Sequence, residues 1–400
     1  MASPPTEEFG RNASPTDRSG RHGFARLEAF WQRMTEGITV QALWSQFVAD
    51  ARAGYDFYSR DVDWEEMRGQ SRLRRGVALC RAFFWAMMMK LSPARRVVLL
   101  IALASGVLAL FTARVEVSNG RAIVEGPNNG LAVLISVAGL LLVLALELSD
   151  RVIMKRDLEI AREIQQWLVP GSPPQFPGLD IAFTTRPANT VGGDFYDAFV
   201  RQSGPAGEAE RLLVVVADVA GKSVPAALLM ATFQASLRTL AAAPATLSEL
   251  VSGMNSYSYE HSLRGLRFTT AFFAELDPPS HSLAYVRAGH NPPIIRRANG
   301  RVEWLDQGTL PLGIKAGEDF SATTVPLAPG DQLVIFSDGL IEAEASSHEQ
   351  YGEERLLAAV MAAPAQTAAE TLKGLMSRLD SFVGLTRQHD DVTLVIVRAT

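Results

Sequence analysis

The sequence predicts an α+β (α/β) fold in which helices cover antiparallel β-sheets, preceded by two apolar helices able to cross a membrane. Seven short apolar runs after residue 178 are rich in Val and aromatic residues, and they alternate with four longer stretches of helical periodicity. Connections as short as Asp277-Pro278-Pro279-Ser280 join some of these runs, as antiparallel strands allow. Meandering strands with helices between them predict layers of helix over sheet in one domain.

The first part of the chain carries little chemical information. Residues 1–22 are rich in Ser, Pro, Gly and Arg, and they are predicted to be a disordered tail because they offer few apolar anchors. They also lack the apolar segment of a secretory signal. Residues 23–96 are predicted to form a helical cytoplasmic N-terminal region, since large apolar residues such as Trp31 and Phe47 recur there at helical spacing.

Residues 97–146 are predicted to be a transmembrane hairpin. Val97–Ala113 and Leu131–Leu146 carry no charge, and each is marginally long enough to cross a hydrocarbon core of about 30 Å. The alternative is a pair of buried core helices. Seven Lys and Arg residues lie between residues 72 and 96 and three between 151 and 156, against two in the connector. The positive-inside rule then puts both ends in the cytoplasm, which predicts a protein of the inner (cytoplasmic) membrane.

Residues 147–170 are predicted to be a linker helix. Ile153, Ile160 and Trp167 repeat every seven residues in this charged, amphipathic segment. Such a coiled-coil-like stripe predicts pairing with a second copy of the chain, and hence a homodimer. The alternative is a helix that packs on its own domain. Pro170 ends the helix before a compact domain at residues 178–400.

Within residues 178–400 we predict seven strands and four helices. The strands are Ile181–Arg186, Phe195–Val200, Leu212–Ala217, Thr269–Leu276, Leu283–Ala288, Gln332–Phe336 and Val392–Val397. The helices are Ala226–Leu240, Leu247–Glu260, Glu353–Met361 and Ala368–Phe382.

Composition excludes two broad classes of protein. The net charge is −5 without a basic excess, which argues against nucleic acid as a partner. The single cysteine, Cys80, excludes an internal disulfide framework and fits a reducing compartment.

Four acidic residues lie where a predicted strand begins or ends: Asp194, Asp218, Asp338 and Asp390. Taken singly, each is equally well explained as a turn former. If they converge, several carboxylates cannot all stay ionised without a counter-charge. Divalent cations supply that charge, and ligation by oxygen alone favours Mg²⁺ or Mn²⁺ over Zn²⁺. Two such ions about 3.5–4 Å apart can activate a bridging water and neutralise a phosphate.

Nine segments of the chain follow one another in a specific order. They are LEIAREIQQ (Leu158–Gln166), VGGDFYD (Val191–Asp197), DVAGKSVPAALLM (Asp218–Met230), FTTAFFAELD (Phe268–Asp277), AGHNPP (Ala288–Pro293), PLGI (Pro311–Ile314), PGDQLVIFSDGLIEA (Pro329–Ala343), YGEERL (Tyr351–Leu356) and DDVTLVIV (Asp390–Val397). Together they resemble the bacterial metal-dependent protein phosphatases of the protein phosphatase 2C superfamily, sporulation-protein-E type. The resemblance covers about Leu158–Arg398 and does not extend to residues 1–145.

This resemblance implies a four-layer α-β-β-α sandwich catalytic domain with two Mn²⁺ or Mg²⁺ ions at one edge of its sheets. It implies that Asp218 bridges both ions and that Asp194 and the carbonyl oxygen of Val219 also bind metal. The other ion is held by Asp338 and Asp390. The family's Asp-Asp/Asn-x-Thr pattern uses its first acidic residue, so Asp390 is preferred to its neighbour Asp391.

The implied activity is hydrolysis of phosphoserine or phosphothreonine on a protein by a metal-activated water, without a covalent intermediate. The implied substrate is a phosphorylated partner-switching regulatory protein of the anti-sigma antagonist type. Because all four catalytic aspartates are present, the sequence predicts an active, membrane-anchored enzyme. The alternative is a non-catalytic membrane scaffold that binds a phosphoprotein. A metal-dependent nucleotide cyclase is a third reading, but its purine-selecting residues are not found.

Further polar residues near these segments carry weaker predictions. Asp197 is a candidate to support the metal ligands without binding metal itself. His290 is a general acid or ligand or, more simply, orders the turn before Pro292-Pro293. Arg186 and Arg287 either hold phosphate or are solvated strand residues. Ser223 stands where the family commonly has glycine, and no catalytic effect is expected from it.

Overall fold

The structure is a computed structural model, and it describes residues 81, 84–85, 88–112, 116–118, 121–123, 130–204, 207, 209–221, 223–261, 267–363 and 367–400. The predicted tail at 1–22 and most of the predicted helical region at 23–96 lie outside these residues. The chain divides into two compact units, Met1–Leu148 and Ser149–Thr400.

The first unit contains the two apolar helices. Helix α1 is Pro93–Thr112, and helix α2, Gly130–Leu168, begins in this unit. Small residues let the helices approach closely, since a Cβ atom on Gly139 would lie 2.8 Å from the Cβ atom of Ala102. The polar connector contains two short antiparallel strands, β1 (Glu116–Ser118) and β2 (Arg121–Ile123), which the sequence did not predict.

Both helices are long and apolar enough to cross a membrane, judged by length and composition. In the part of the chain that the structure describes, 17% and 6% of their most apolar stretches are buried, which favours the membrane hairpin over a pair of buried core helices. Arg95, near the beginning of α1, forms an ion pair of 3.1 Å with Glu147, which directly follows the apolar part of α2.

The part of α2 that belongs to the second unit shows features of both alternatives considered for it. Ile153, Ile160 and Trp167 are 56%, 46% and 82% exposed, so the seven-residue stripe is open on its outer side. Val169, just after the helix, packs instead against the apolar cores of the following domain. The helix end therefore packs on its own domain while the stripe stays exposed.

The second unit contains two five-stranded antiparallel sheets. The first has the strand order β10-β7-β6-β5-β4 and the second the order β3-β12-β11-β8-β9. The strands are β3 (Leu179–Arg186), β4 (Asp194–Ser203), β5 (Ala209–Val219), β6 (Thr269–Asp277), β7 (Ser282–Ala288), β8 (Ile294–Arg296), β9 (Val302–Trp304), β10 (Thr323–Pro326), β11 (Gln332–Phe336) and β12 (Val392–Ala399).

The described part of this unit also contains five further α-helices and a short 3-10 helix at Pro278–Ser280; the α-helices are α3 (Val224–Ala241), α4 (Leu247–Glu260), α5 (Asp338–Ile341), α6 (Gly352–Ala362) and α7 (Ala368–Val383). Two of these helices begin at residues that favour a helix N-terminus. Pro225 stands in the first turn of α3, and Thr246 and Glu249 form a reciprocal capping box at α4.

Alternation along the strands sorts the apolar side chains into three layers. The central layer lies between the sheets and includes Val214, Val216, Phe272, Ile335 and Val397. One outer layer joins the first sheet to α3 and α4, and the other joins the second sheet to α6 and α7. The predicted four-layer α-β-β-α sandwich is confirmed.

All seven predicted strands and all four predicted helices of this domain are present, with ends that differ by a few residues. The sequence did not predict β8, β9, β10 or the one-turn helix α5. These elements have only three or four residues, and such short segments show no periodicity. β8 and β10 are defined by pairing with the longer strands β11 and β7, and β9 by pairing with β8.

Candidate active site

Asp194 and Asp218 lie directly opposite each other on adjacent strands. Asp194 is the first residue of β4, and its register partner on β5 is Asp218. Directly opposed residues of an antiparallel pair have Cβ atoms about 4.5–5.5 Å apart, and like charges in that position destabilise the sheet. The opposed carboxylates of Asp194 and Asp218 are therefore expected to destabilise this end of the sheet when both are ionised.

Asp338 and Asp390 lie at the matching end of the second sheet. Asp338 follows β11 and Asp390 precedes β12, and these antiparallel strands are hydrogen-bonded neighbours. The peptide nitrogen of Ser337 donates to the carbonyl oxygen of Thr393 (3.0 Å), which extends the ladder to the site. At Gly339 a Cβ atom would overlap the carbonyl oxygen of Asp391, so only glycine allows this approach.

Asp194 connects the two sheet ends. The hydroxyl groups of Thr393 and Ser337, both from the second sheet, lie near its carboxylate. Burial raises the pKa of Asp194 well above its usual range, and the charge of Asp218 raises this pKa further, whereas the two hydroxyl groups lower it. The Oδ2 atom of Asp194 is buried and has no hydrogen-bond partner among the described residues.

The carbonyl oxygen of Val219 faces the same loop. A Cβ atom on Gly193 would lie 3.0 Å from this oxygen and 3.5 Å from Asp218 Oδ1. Glycine at this position thus lets the chain before Asp194 approach two predicted oxygen ligands.

The donor set fits a hard divalent cation, because it consists of carboxylate and carbonyl oxygens and includes a buried carboxylate oxygen that lacks a partner. The structure arranges the acidic side chains as two pairs on facing sheet ends. Within the described residues, no group of three or more Asp, Glu, His or Cys side chains is gathered around one point. Ligation of two ions by Asp194, Asp218, Val219, Asp338 and Asp390 stays a prediction.

Asp391 has a role that the sequence did not reveal. Its carboxylate accepts hydrogen bonds from the peptide nitrogens of Ala188 (2.7 Å) and Gly193 (2.6 Å), so both oxygens hold backbone. Asp390 accepts one backbone hydrogen bond, from the peptide nitrogen of Asp391 (3.0 Å), whereas Asp391 accepts two, which favours Asp390 as the ligand of the two. The alternation of side chains along a strand could have indicated this orientation. Thr393 and Val395 face the other sheet, and Asp391 has the same parity, so its side chain is expected on that face too.

Asp197 does not support the predicted metal ligands. It lies three residues after Asp194, so its side chain points to the opposite face of β4. There it accepts two hydrogen bonds of 2.7 Å from Arg238 of α3. Asp197 therefore fastens a helix to the sheet, and the strand period was enough to foresee this.

The two candidate phosphate-binding arginines have other partners. Arg186 pairs with Asp380 at 2.6 Å. Arg287 donates to the carbonyl oxygens of His290, Asp306 and Gln307. These contacts favour structural roles for both arginines.

Ser223 adopts a backbone conformation that suits glycine. It precedes α3 with a φ of 64° and a ψ of −144°, a region that residues with a side chain rarely occupy. This explains why glycine is common here in the family that the sequence resembles.

His290 lies between the sheets, 3% exposed, with Nδ1 3.3 Å from Thr270 Oγ1. Burial lowers its pKa to about 4, and the nearby Arg287 contributes to the lowering, so the imidazole is neutral at pH 7. A buried neutral histidine beside the AGHNPP turn favours the turn-ordering role over that of a general acid.

This pKa predicts a loss of stability in mild acid. The unfolded chain takes up a proton near pH 6.5, whereas folded His290 does so only near pH 4, so stability falls as the pH drops through this window. The full difference corresponds to about 3 kcal/mol. Urea unfolding at pH 7, 6 and 5 should show a smaller pH-dependent loss for His290→Asn than for the wild type. Identical pH profiles would contradict the prediction.

A cavity of about 340 Å³ lies beside Asp194 in the second unit. Its wall includes Arg162 and Gln165 of α2, Tyr196 of β4 and Asp391. The end of the linker helix thus forms one side of a space that opens next to the predicted metal ligand.

Comparison with known proteins identifies the domain. The pattern of the family described as stage II sporulation protein E (SpoIIE) matches residues 208–400. Phosphoserine phosphatase RsbU of Bacillus subtilis is 29% identical over 248 residues, which cover 61% of this chain and 70% of RsbU. Protein IcfG of Synechocystis sp. is 26% identical over 280 residues, which cover 64% of this chain but 43% of IcfG.

The fold has a counterpart among solved structures. The SiaA-PP2C domain of Pseudomonas aeruginosa superposes with a TM-score of 0.53 at 22% identity, over 63% of this chain and 99% of that domain. The two facing sheets and their covering helices are therefore those of PP2C proteins. Over residues 208–400 the chain is therefore similar to the stage II sporulation protein E family, and the domain is a phosphatase domain of that type with the PP2C fold.

Proposed function

We propose that this protein is a membrane-anchored, metal-dependent phosphatase that removes phosphate from serine or threonine of a partner-switching regulatory protein, of the anti-sigma antagonist type. The observation that carries the proposal is the opposition of Asp194 and Asp218 beside Asp338 and Asp390 at one end of two facing sheets. Support for the substrate class comes from the 29% identity to RsbU, which is named a phosphoserine phosphatase.

The chain's own residues account for the binding part of this chemistry. Asp194, Asp218, Asp338, Asp390 and the carbonyl oxygen of Val219 would hold two Mn²⁺ or Mg²⁺ ions. Such a pair, when bound, activates water for attack on phosphorus and stabilises the charge that develops on the phosphate oxygens. The raised pKa of Asp194 favours this assignment, because a nearby dication would remove the cost of keeping both buried carboxylates ionised.

The location and assembly of the protein belong to the same proposal. The two apolar helices would anchor the chain in the cytoplasmic membrane, with the phosphatase domain in the cytoplasm, as the distribution of Lys and Arg favours. The exposed stripe at Ile153, Ile160 and Trp167 would pair with its copy in a homodimer.

Metal removal tests the proposed activity. The full chain in detergent is expected to hydrolyse a chromogenic phosphate ester in Mn²⁺ and to lose at least about 100-fold in rate after chelation with EDTA. Restoring Mn²⁺ or Mg²⁺ should restore turnover, and the same preparation should release phosphate from a phosphoserine protein. If no metal concentration supports turnover, the non-catalytic scaffold becomes the better reading.

A further inference from the structure

Gln165, in the last turn of α2, binds the backbone of the loop that leads to Asp194. Its Nε2 atom donates to the carbonyl oxygen of Gly192 (2.8 Å), and its Oε1 atom accepts from the peptide nitrogen of Gly192 (3.1 Å). Both polar ends of one side chain are thus used on a single residue, 27 positions away in the sequence.

The loop needs such a restraint. Two consecutive glycines, Gly192 and Gly193, precede Asp194, and glycine is the residue with the largest backbone freedom. Asp391 holds the loop from the other side through the peptide nitrogen of Gly193 (2.6 Å). The Gly-Gly segment is therefore held between an amide of the linker helix and a carboxylate of the second sheet.

The helix end has attachments that do not depend on Gln165. The hydroxyl group of Tyr196 donates to the carbonyl oxygen of Pro170 (2.9 Å), and Val169 packs against the apolar cores. Replacement of Gln165 should therefore release the loop without detaching the helix, which separates a positioning role from a general structural one.

We propose that Gln165 is a positioning residue for the metal site, because it fixes the Gly192-Gly193 peptide and with it the carboxylate of Asp194. The proposal rests on the proposed function, which makes Asp194 a metal ligand. Groups that orient a metal ligand typically contribute 10–100-fold to metal affinity. A similar contribution is expected here, although Gln165 itself does not touch the metal.

The test compares Mn²⁺ binding by full-length variants in detergent, with free Mn²⁺ counted from its solution EPR signal. Gln165→Leu keeps the size and helix propensity of the side chain but removes both hydrogen bonds. It is expected to raise the Mn²⁺ dissociation constant about 10–100-fold. Turnover of the chromogenic ester should then need correspondingly more Mn²⁺ but approach the wild-type rate at saturation. Gln166→Leu makes the same chemical change at the next, exposed position and should leave the affinity within about twofold.

A second variant keeps the test decisive if Gln165→Leu fails to fold. Gln165→Glu retains an acceptor for the Gly192 peptide nitrogen but places a second acceptor oxygen against the Gly192 carbonyl oxygen, so it is also expected to weaken Mn²⁺ binding. Wild-type affinity in every folded Gln165 variant would overturn the positioning role and leave the proposed function intact. A wild-type chain that binds no Mn²⁺ would overturn both.

Discussion

Replacement of Asp218 by alanine is expected to abolish metal-dependent phosphatase turnover, with a loss of at least about 10²–10³-fold. Asp218 faces Asp194 across the β4–β5 pair, and the family resemblance assigns it as the ligand that both ions would share. Its removal takes away a predicted ligand of both ions at once. The measurement is hydrolysis of a chromogenic phosphate ester over a range of Mn²⁺ concentrations.

Stability should respond to this substitution in an unusual way. Removal of one of two opposed carboxylates relieves repulsion, so unfolding of Asp218→Ala in EDTA should need at least as much denaturant as that of the wild type. A bound ion stabilises the folded state by about 2.7 kcal/mol at 100 times its dissociation constant. The wild type should gain this stability from Mn²⁺, and Asp218→Ala should gain much less.

Asp197→Ala is the matched control on the adjacent strand. Asp197 is fully buried but is bonded to Arg238 on the opposite face of the sheet. Its loss should cost about 1–3 kcal/mol of stability while the stabilisation by Mn²⁺ persists. Near-wild-type turnover in Asp218→Ala, or loss of the Mn²⁺ effect in both variants alike, would contradict the assignment of Asp218 as a metal ligand.

The largest effect on stability is expected from Glu275→Ala. Glu275 pairs with Arg201 at 2.6 Å, and both side chains are 1% exposed. Ser203 donates a further hydrogen bond of 2.8 Å to the same carboxylate. Removal of Glu275 leaves the Arg201 charge buried without its partner, and such a change costs about 3–5 kcal/mol. Urea unfolding of the variant and the wild type measures the difference.

The ion pair of Arg201 and Glu275 lies far from the predicted metal site, so its loss should affect stability and not metal binding. Arg201 lies seven residues after Asp194 on β4, which places it roughly 23 Å along the strand from the metal edge. Folded Glu275→Ala should therefore bind Mn²⁺ like the wild type. Glu303→Ala is the control, since Glu303 is 30% exposed and its partner Arg297 keeps a second bond to Asp331, so a cost of at most about 1 kcal/mol is expected. Equal losses in the two variants would contradict the prediction.

Local patterns in the sequence were sufficient for the long elements and for the general place of the site. Gln332–Phe336 and Leu247–Glu260 could be bounded correctly because an apolar run or a helical period, together with a cap or a turn, is a property of neighbouring residues. The aspartates at strand ends were found in the same way, and the alternation of strands could also have shown that Asp197 and Asp194 face opposite sides.

Only the tertiary structure decided the contacts between segments that lie far apart in the chain. Three such contacts are the hydrogen bonds of Gln165 to Gly192, those of Asp391 to backbone nitrogens, and the buried ion pair of Glu275 with Arg201. Their partners are separated by 27 to 203 positions in the sequence. Sheet order and strand register determine such contacts, and no local signal specifies either. The sequence by itself therefore predicted which residues are candidates for the chemistry, and the fold decided which other residues hold their backbone in place.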